Sequence, residues 1–419
     1  MDIAEQVLNI AMAAKKASQA LSSLSTALKN RVLDQMAGEL LNKTDFLKRE
    51  NEKDLKDAHE KGLSTALIDR LRLSDKVIKE MVEEIREIVQ LPDPVGEIVK
   101  MWRRPNNLLV GKMRIPLGVI GIIYESRPNV TVDAAALCLK SGNAVILRGG
   151  KEAFHSNRAL AGIMQEVVKG NGVSEAAIQL IPAVEREAVY EMLKLEGYID
   201  VIIPRGGEEL IRAVVERSQI PVIKHYRGVC HIFVDASANE AMAESVVVNA
   251  KVQRPGVCNA LETLLVHEEI APRFLPRIVS SLRKEGVEVR ACEKSRRIVH
   301  GLKEAREEDW YQEYLDLIVS IKIVSTVEEA IDHIAEYGSM HTDAIITSDY
   351  SNSQLFLQKV NSSVVLVNAS TRFNDGNQLG LGSEIGISTT KLHAFGPMGL
   401  NELTTCKFVV YGNGQIREG

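Results

Sequence analysis

The sequence predicts an α/β protein with two doubly wound α/β domains and a small additional β element. Its 419 residues exceed what one hydrophobic core usually holds. After Pro116, apolar strand-like runs alternate with amphipathic helical stretches, and the alternation starts again after residue 230. Because the runs are apolar on both faces, each is expected to lie in a parallel sheet that helices cover on both sides.

The first hundred residues have a helical period. The stretches VLNIAMAAKKASQALSSL, LKNRVLDQMAGELL and KVIKEMVEEIREIVQL predict helices, and PDPVG ends this block. KMWRRPNNLLVGKMRIP then alternates around an Asn-Asn turn, which predicts a hairpin. The tail TTCKFVVYGNGQ predicts one more strand.

The first alternating series predicts strands at GVIGIIY, NAVIL, AIQLIP and YIDVIIP, with PVIKHY closing the series. The second series predicts strands at HIFVD, ETLLVH, LIVSIKIV, DAIIT and SSVVLV. We therefore predict a first domain at 1–99 and 115–229, a second domain at 230–400, and separate strands at 100–114 and 401–419.

Composition excludes several classes of protein. The formal net charge of −5 gives no electrostatic case for a nucleic-acid or membrane partner. No run reaches the roughly 20 apolar residues of a membrane span, and the N-terminus lacks the apolar core of a signal peptide. The five cysteines are scattered and form no C-x-x-C pair, so neither a disulfide framework nor a metal site is expected. The expected location is the cytoplasm.

Cys258, in QRPGVCNALE, is the candidate nucleophile. The Pro-Gly bend breaks regular structure, and NALETLL can begin a helix or a strand directly afterwards. A thiol at a helix start is stabilised as thiolate by the backbone N–H groups and the helix dipole. The alternative is a small buried apolar side chain.

Two diglycine turns are candidate phosphate sites, although G-x-G-x-x-G is absent. In VIIPRGGEELIR, Gly206 and Gly207 separate a strand from a helix whose free N–H groups suit a phosphate. In AVILRGGKEA, the cations Arg148 and Lys151 flank the glycines and suit a ribose phosphate, which favours NADP over NAD. The alternatives are an ordinary tight turn and solvated surface cations.

Taken in order, IPLGVIGIIYESRPN, NAVILRGGKEA, VIIPRGG, QRPGVCNALE and EYLDLIVSIKIV resemble the aldehyde dehydrogenase superfamily along the whole chain. The similarity is greatest to the superfamily's reductases of L-glutamyl 5-phosphate. VSTVEEAIDHIAEYGSMHTDAI resembles the signature of that group. The resemblance implies an aldehyde dehydrogenase-like fold, with NADPH bound by the first domain and catalysis in the second.

The resemblance also implies roles for individual residues. Cys258 corresponds to the thiol that accepts the acyl group, and Glu313 to the carboxylate that holds the nicotinamide ribose. Gly206 and Gly207 lie where the cofactor pyrophosphate binds, and Arg148 where a lysine contacts the adenosine ribose. The expected oxyanion donors are the backbone N–H of Cys258 and, together with it, the side chain of Asn129.

One departure from the superfamily concerns the acyl acceptor. Hydrolytic members carry a glutamate that activates water, whereas this chain reads HYRG, with His225 at that position. Loss of the base suits an enzyme that exchanges its acyl group with phosphate. His225 in its cationic form, or Arg227, is then a phosphate contact. Arg127, Arg227 and Arg254 are candidate partners for the anionic groups of the substrate.

The implied reaction is the NADPH-dependent reduction of L-glutamyl 5-phosphate to glutamate 5-semialdehyde and phosphate through a cysteine thioester, in proline biosynthesis. A dimer or tetramer is expected because the strands at 100–114 and 401–419 could extend a partner's sheet. The upstream glutamate kinase is a further candidate partner. The alternatives are an oxidising NAD(P)-linked aldehyde dehydrogenase and a non-catalytic protein with this fold.

Overall fold

The computed structural model describes residues 2–417, apart from the side chain of Ala66. The chain forms two compact units. Unit 1 contains the residues up to Lys224, Gly380–Gly386, and those from Met398 onward; unit 2 contains His225–Leu379 and Ile387–Pro397. This division differs from the predicted bounds, because residues 225–229 fall in unit 2, whereas Gly380–Gly386 and residues 398–400 fall in unit 1.

The helices begin at positions that the sequence marks. Ser25, Ser74 and Thr326, for example, precede helices and accept a hydrogen bond from the backbone three residues later. The α-helices of the described residues are α1 Ile3–Leu21, α2 Thr26–Asn42, α3 Thr44–Glu60, α4 Thr65–Leu71, α5 Asp75–Gln90, α6 Asn129–Lys140, α7 Phe154–Gly170, α8 Arg186–Met192, α9 Glu208–Arg217, α10 Glu240–Val252, α11 Ala271–Lys284, α12 Glu293–Ile298, α13 Glu307–Trp310, α14 Val327–Tyr337 and α15 Tyr350–Lys359. Short 3-10 turns lie at Lys151–Ala153, Glu175–Ala177 and Thr371–Phe373.

The strands follow the predicted apolar runs with few exceptions. They are β1 Ile98–Arg103, β2 Leu109–Pro116, β3 Val119–Tyr124, β4 Ala144–Arg148, β5 Ile178–Leu180, β6 Val201–Arg205, β7 Cys230–Val234, β8 Leu261–His267, β9 Glu288–Ala291, β10 Lys303–Glu304, β11 Ile318–Val324, β12 Thr342–Ile346, β13 Val364–Val367, β14 Ile387–Ser388, β15 Gly396–Pro397 and β16 Thr404–Tyr411.

The main sheet of unit 1 is parallel, with the order β5-β4-β3-β6. Every residue of β3 is buried, as a strand covered on both faces requires. The chain passes from β3 to β4 and β5 on one side and returns to β6 on the other. Glu125 and Gly206 directly follow the two strands, β3 and β6, between which the order reverses. In open α/β sheets, ligands bind at this position.

The main sheet of unit 2 has the order β10-β9-β11-β8-β7-β12-β13 and is also parallel. Separate apolar clusters pack on it, one around Phe274 and the other around Phe356. Because β8, β7 and β12 are neighbours, their amino ends lie at one edge of the sheet. The residues that precede these ends include Gly228, Asn259 and His341, so the topology brings them together.

A third sheet in unit 1 joins the predicted hairpin to the tail. β2 pairs antiparallel with β1 and with β16, in the order β1-β2-β16. The rings of Trp102 and Phe408 meet edge to face, with 6.3 Å between their centroids. The predicted hairpin and tail strand are both confirmed.

One strand prediction was wrong, and several short strands were not predicted. PVIKHY forms only an isolated bridge, between Val222 and Ile202, and no extended strand. The short strands β9, β10, β14 and β15 were not predicted, because two to four residues are too few to show a period. The described helices are too short or too polar to cross a membrane.

Candidate active site

Cys258 lies in the turn between α10 and β8. It is half-buried and forms no disulfide. The residues after it enter a strand, so the helix start that would stabilise a thiolate through its dipole is absent from this segment. Of the two structures that the sequence left open, the strand is therefore the one that forms.

The backbone of Cys258 is held by close packing. A Cβ atom on Gly228 would lie 1.8 Å from the Cys258 carbonyl oxygen, so only glycine fits at this position. The Cys230 thiol donates to the same carbonyl oxygen at 3.1 Å. Burial raises the pKa of Cys230 well above its ordinary value, which keeps this second thiol protonated as a donor. Of the two thiols, Cys230 is buried and Cys258 is half-buried, so Cys258 stays the predicted nucleophile.

Two imidazoles accompany the Cys258 thiol. Sγ of Cys258 and one ring nitrogen of each of His225 and His341 all lie within 4.8 Å of one another. The two rings meet at an angle of 69°, with 5.5 Å between their centroids. The sequence predicted a role for His225, whereas His341 was only part of the signature-like stretch VSTVEEAIDHIAEYGSMHTDAI and not a candidate site residue.

The hydrogen bonds of the two rings define their free nitrogens. His225 Nδ1 lies 2.6 Å from the carbonyl oxygen of Ile387, and because a carbonyl only accepts, Nδ1 carries a proton. His341 Nδ1 lies 2.7 Å from the Thr342 hydroxyl, and its Nε2 is buried without a hydrogen-bond partner in the structure described. Burial lowers the pKa of His341 to about 4, so this ring is neutral at neutral pH.

Arg372 adds a cation beside the thiol. Its guanidinium donates to Asn259 Oδ1 and, through Nε, to Gln253 Oε1 at 2.7 Å. Burial, assisted by the nearby charge of Arg254, lowers the pKa of Arg372, while Cys258 acts in the opposite direction. The sequence reasoning missed Arg372, because NASTRFNDG contains no motif that distinguishes a functional arginine from a surface one.

Asn259 is a second residue that sequence reasoning missed. It directly follows the thiol, is 5% exposed, and its Nδ2 donates to the carbonyl oxygen of Asn374 at 2.9 Å. With Arg372 on its Oδ1, its amide is held at both ends. Its place next to Cys258 in the sequence was the available signal.

Glu313 contacts the same assembly. Its Oε1 accepts from the Gly228 N–H at 2.9 Å, so one carboxylate fixes the glycine that packs on Cys258. Beneath it, Lys251 and Glu262 form a fully buried ion pair of 2.7 Å. Leu315 N–H reaches Glu262 at 3.4 Å, which ties the segment carrying Glu313 to α10 and β8.

The other predicted substrate cations have diverse positions. Arg254 is exposed and lies close enough to influence Arg372. Arg227 donates to the carbonyl oxygen of Tyr311 at 3.2 Å. Arg127 is exposed in unit 1, before α6. The structure therefore brings Arg254 and His225 to the thiol assembly.

Asn129 lies at the start of α6, in unit 1, where its Nδ2 donates to Asp133 Oδ2 at 3.0 Å. The amide group is thus engaged by its own helix. Its expected role as an oxyanion donor stays a prediction. Asn259, by contrast, directly follows Cys258 in the sequence and lies in the same unit.

The predicted pyrophosphate turn lies at the reversal point of the unit 1 sheet. β6 ends at Arg205 and α9 starts at Glu208, with Gly206 and Gly207 between them. The Gly207 N–H donates to Glu125 Oε2 at 2.9 Å, and a Cβ on Gly206 would meet the Glu125 carboxyl at 2.7 Å. A side chain at Gly206 would have to displace the flexible end of Glu125, and the Gly207 N–H already binds a carboxylate oxygen, the kind of acceptor that a phosphate also offers.

Arg148 ends β4 and is 8% exposed. Its guanidinium donates to the carbonyl oxygens of Gly149 at 2.9 Å, Val184 at 2.8 Å and Glu185 at 3.2 Å. Nε is buried without a hydrogen-bond partner in the structure described. Arg148 thus has a structural role as well as unused donor capacity. Lys151 starts the following 3-10 turn and is exposed.

Comparison with known proteins identifies similar sequences and a similar fold. The aldehyde dehydrogenase family matches residues 2–298. The chain is 62% identical to proteins named gamma-glutamyl phosphate reductase from Geotalea daltonii and from Geobacter metallireducens, over all of each chain. The crystal structure of gamma-glutamyl phosphate reductase from Thermotoga maritima is 47% identical, with a TM-score of 0.97 over 99% of this chain and 100% of that one.

Proposed function

The chain belongs to the aldehyde dehydrogenase family, and from this premise we propose that it reduces L-glutamyl 5-phosphate to L-glutamate 5-semialdehyde and phosphate, with NADPH as reductant. Relatives that are 62% identical over their full length carry the name of this activity. In the proposed pathway the reaction is the second step of proline biosynthesis from glutamate.

The observation that carries the proposal is the placement of Cys258 beside the half-buried guanidinium of Arg372. A substrate with a phosphate and a carboxylate needs cations near the thiol that attacks it. His225, Arg227 and Arg254 provide further positive or hydrogen-bonding groups. His225 stands where hydrolytic relatives carry the glutamate that activates water, which supports phosphate as the acyl acceptor.

The thiol performs the covalent chemistry. The Cys258 sulfur attacks the side-chain acyl carbon, the bond from that carbon to the phosphate oxygen breaks, and inorganic phosphate leaves a thioester. The proton of the thiol passes to an imidazole, for which His225 Nε2 is available because Nδ1 is held by Ile387. The second N–H of the Asn259 amide, whose first N–H donates to Asn374, and the Cys258 backbone N–H are our proposed oxyanion donors.

NADPH, when bound, supplies the hydride that reduces the acyl carbon to the level of an aldehyde. The resulting oxyanion re-forms the carbonyl and expels the Cys258 thiolate. We assign the pyrophosphate to Gly206 and Gly207, the adenosine ribose phosphate to Arg148 and Lys151, and the nicotinamide ribose to Glu313. The glycine turn that a Cβ would fill and the unpartnered Arg148 Nε fit a phosphorylated dinucleotide.

The domain roles follow from these assignments. We propose that unit 1 binds NADPH and that unit 2 carries the thiol, with a cytoplasmic location supported by the free cysteines. We also propose a homo-oligomer, because β1 and β16 are the outer strands of the described sheet and expose Met101, Phe408 and Val410. Glutamate kinase, which would supply the unstable acyl phosphate, is the proposed functional partner.

The test is a reverse assay in a cuvette. The full chain is mixed with pyrroline-5-carboxylate, which is in equilibrium with the semialdehyde, and with NADP and phosphate, and NADPH absorbance is followed. We expect continuous NADPH formation only when phosphate is present, and without phosphate at most one equivalent of NADPH per chain, from acylation of Cys258. Equal rates with and without phosphate would instead identify a hydrolytic aldehyde dehydrogenase. Cys258→Ser is the control and should be inactive under both conditions.

A further inference from the structure

The group formed by His225, Cys258 and His341 has the composition of a metal site. One sulfur and two imidazole nitrogens lie within 4.8 Å of one another. Thiolate and imidazole are the ligands that Zn²⁺ prefers, whereas Mg²⁺ and Ca²⁺ prefer oxygen. The group contains no sequence motif for a metal, because its members come from three separate segments at the amino ends of β7, β8 and β12.

The ligand nitrogens are already directed by neighbouring groups. His225 Nδ1 donates to the Ile387 carbonyl oxygen, which leaves Nε2 as the free nitrogen. The Thr342 hydroxyl can accept from His341 Nδ1, and His341 Nε2 is then the second free nitrogen. Histidines that bind metals characteristically hold their other nitrogen in a hydrogen bond of this kind.

His341 gives independent evidence that the group accommodates a ligand. The residue is completely buried, and its Nε2 has no hydrogen-bond partner in the structure described. A buried polar atom without a partner is costly, and a metal ion would satisfy it. His225 and Cys258 are only half-buried, so an ion can reach the group.

The geometry requires a modest closure. Tetrahedral Zn²⁺, with bonds of about 2.3 Å to sulfur and about 2.0 Å to nitrogen, places its ligand atoms about 3.3 to 3.6 Å apart. The spacing of at most 4.8 Å therefore has to shrink by up to about 1.2 to 1.5 Å. His225, which lies in a segment without helix or strand, is the ligand that can move.

We propose that this group is a reversible Zn²⁺ site that blocks the Cys258 thiol. With three protein ligands, the fourth position of the ion stays open to water. Binding replaces the thiol proton by the metal and removes the sulfur from chemistry, so free Zn²⁺ inhibits the protein. The site goes beyond the proposed function, because its occupancy does not depend on any substrate or cofactor.

The experiment uses Co²⁺ as a spectroscopic probe of the full chain, without substrate or cofactor. Titration should produce a thiolate-to-cobalt charge-transfer band at one equivalent per chain, and Zn²⁺ should abolish the band by displacement. His225→Ala should weaken cobalt binding about tenfold or more, as expected for the loss of one direct ligand. Cys258→Ser should eliminate the band.

The matched controls are Cys406→Ser and His59→Ala, which remove an exposed thiol and an exposed imidazole remote in sequence from the group. Both should bind cobalt as the parent chain does. His341→Gln removes the third ligand and should also weaken cobalt binding. If this variant fails to fold, the His225 and Cys258 variants decide the matter. A band that survives in Cys258→Ser, or the absence of a band in the parent chain, would overturn the proposal, irrespective of any result from the reverse assay.

Discussion

At the scale of single residues, the candidate nucleophile could be predicted from the sequence, but only some of the residues around it could. Cys258 follows a Pro-Gly bend, and the sequence made His225 a candidate because the resemblance placed it where hydrolytic members carry a glutamate. His341 and Arg372 reach the thiol because β12 lies next to β7 and because the Thr371–Phe373 turn returns to Asn259. Such neighbours depend on strand order, which local patterns do not specify.

Gly228 should be essential for activity. In Gly228→Ala, the new Cβ would lie 1.8 Å from the present position of the Cys258 carbonyl oxygen. The two atoms would overlap, so the backbone of Cys258 and its thiol must shift. A displacement of about 1 Å can cost about 100-fold in rate, and we expect kcat/KM in the reverse assay to fall by about that factor. Gly256→Ala is the control, because its Cβ would meet only the Leu315 carbonyl oxygen at 3.7 Å. Equal activities of the two variants would contradict the packing argument.

Arg148 should discriminate between the two nicotinamide cofactors. Loss of a charge-assisted hydrogen bond to the ribose phosphate costs about 1.5 to 3 kcal/mol, so Arg148→Ala should raise the KM for NADPH about 10- to 100-fold. The KM for NADH should change less, because NADH lacks that phosphate. Thermal unfolding must be followed in parallel, since the three carbonyl contacts of Arg148 are also lost. Equal losses for both cofactors would refute the assignment and leave a purely structural arginine.

At the scale of elements, most strands and helices could be predicted because their apolar residues recur with clear periods. The prediction of a strand at PVIKHY was wrong because this segment pairs with β6, an outer strand of the sheet, through a single bridge at Ile202. The strand after Cys258 was left open against a helix, since NALETLL suits both. Tertiary pairing of β8 with β7 and β11 decides for the strand.

The packing of α5 on α6 should make stability depend on pH. Burial, with the charge of Glu84 adding to it, raises the pKa of Asp133 well above its ordinary value. The unfolded carboxyl ionises at a lower pH than the folded one, so this contribution to stability is present at acid pH and is lost as the pH rises.

Asp133→Asn should therefore raise the unfolding midpoint at pH 8 and change it less at pH 5. The measurement is thermal unfolding followed by circular dichroism at both values. Asp57→Asn, at an exposed position of α3, is the control and should have a small effect at both. A midpoint difference for Asp133→Asn that is the same at pH 5 and pH 8 would show that the carboxyl does not titrate as described.

At the scale of the whole molecule, the alternation of strands and helices was enough to predict the α/β fold. The exact extent of the two units was not predictable, because residues 380–386 return to unit 1, and the residues after 397 return to it through the pairing of β16 with β2. Strand partners separated by hundreds of residues leave no signal in local periodicity.

The three-stranded sheet should mediate self-association. Phe408 is 63% exposed on β16, and burying such a side chain between copies contributes about 1.5 to 3 kcal/mol. Phe408→Glu should therefore weaken the oligomer at least about tenfold, as measured by light scattering after size-exclusion chromatography. Lys407→Glu, at the neighbouring exposed position, controls for charge alone. An unchanged molar mass for Phe408→Glu across dilution would argue against this surface.

The most direct test of the central claim is to trap the acyl group on Cys258. The chain is incubated with pyrroline-5-carboxylate and NADP but without phosphate, quenched in acid, and digested for mass spectrometry. We predict a glutamyl thioester on the peptide that contains Cys258, and its disappearance when phosphate is added before the quench. NADPH formation with no adduct on that peptide, or with an adduct on another residue, would contradict covalent catalysis by this thiol.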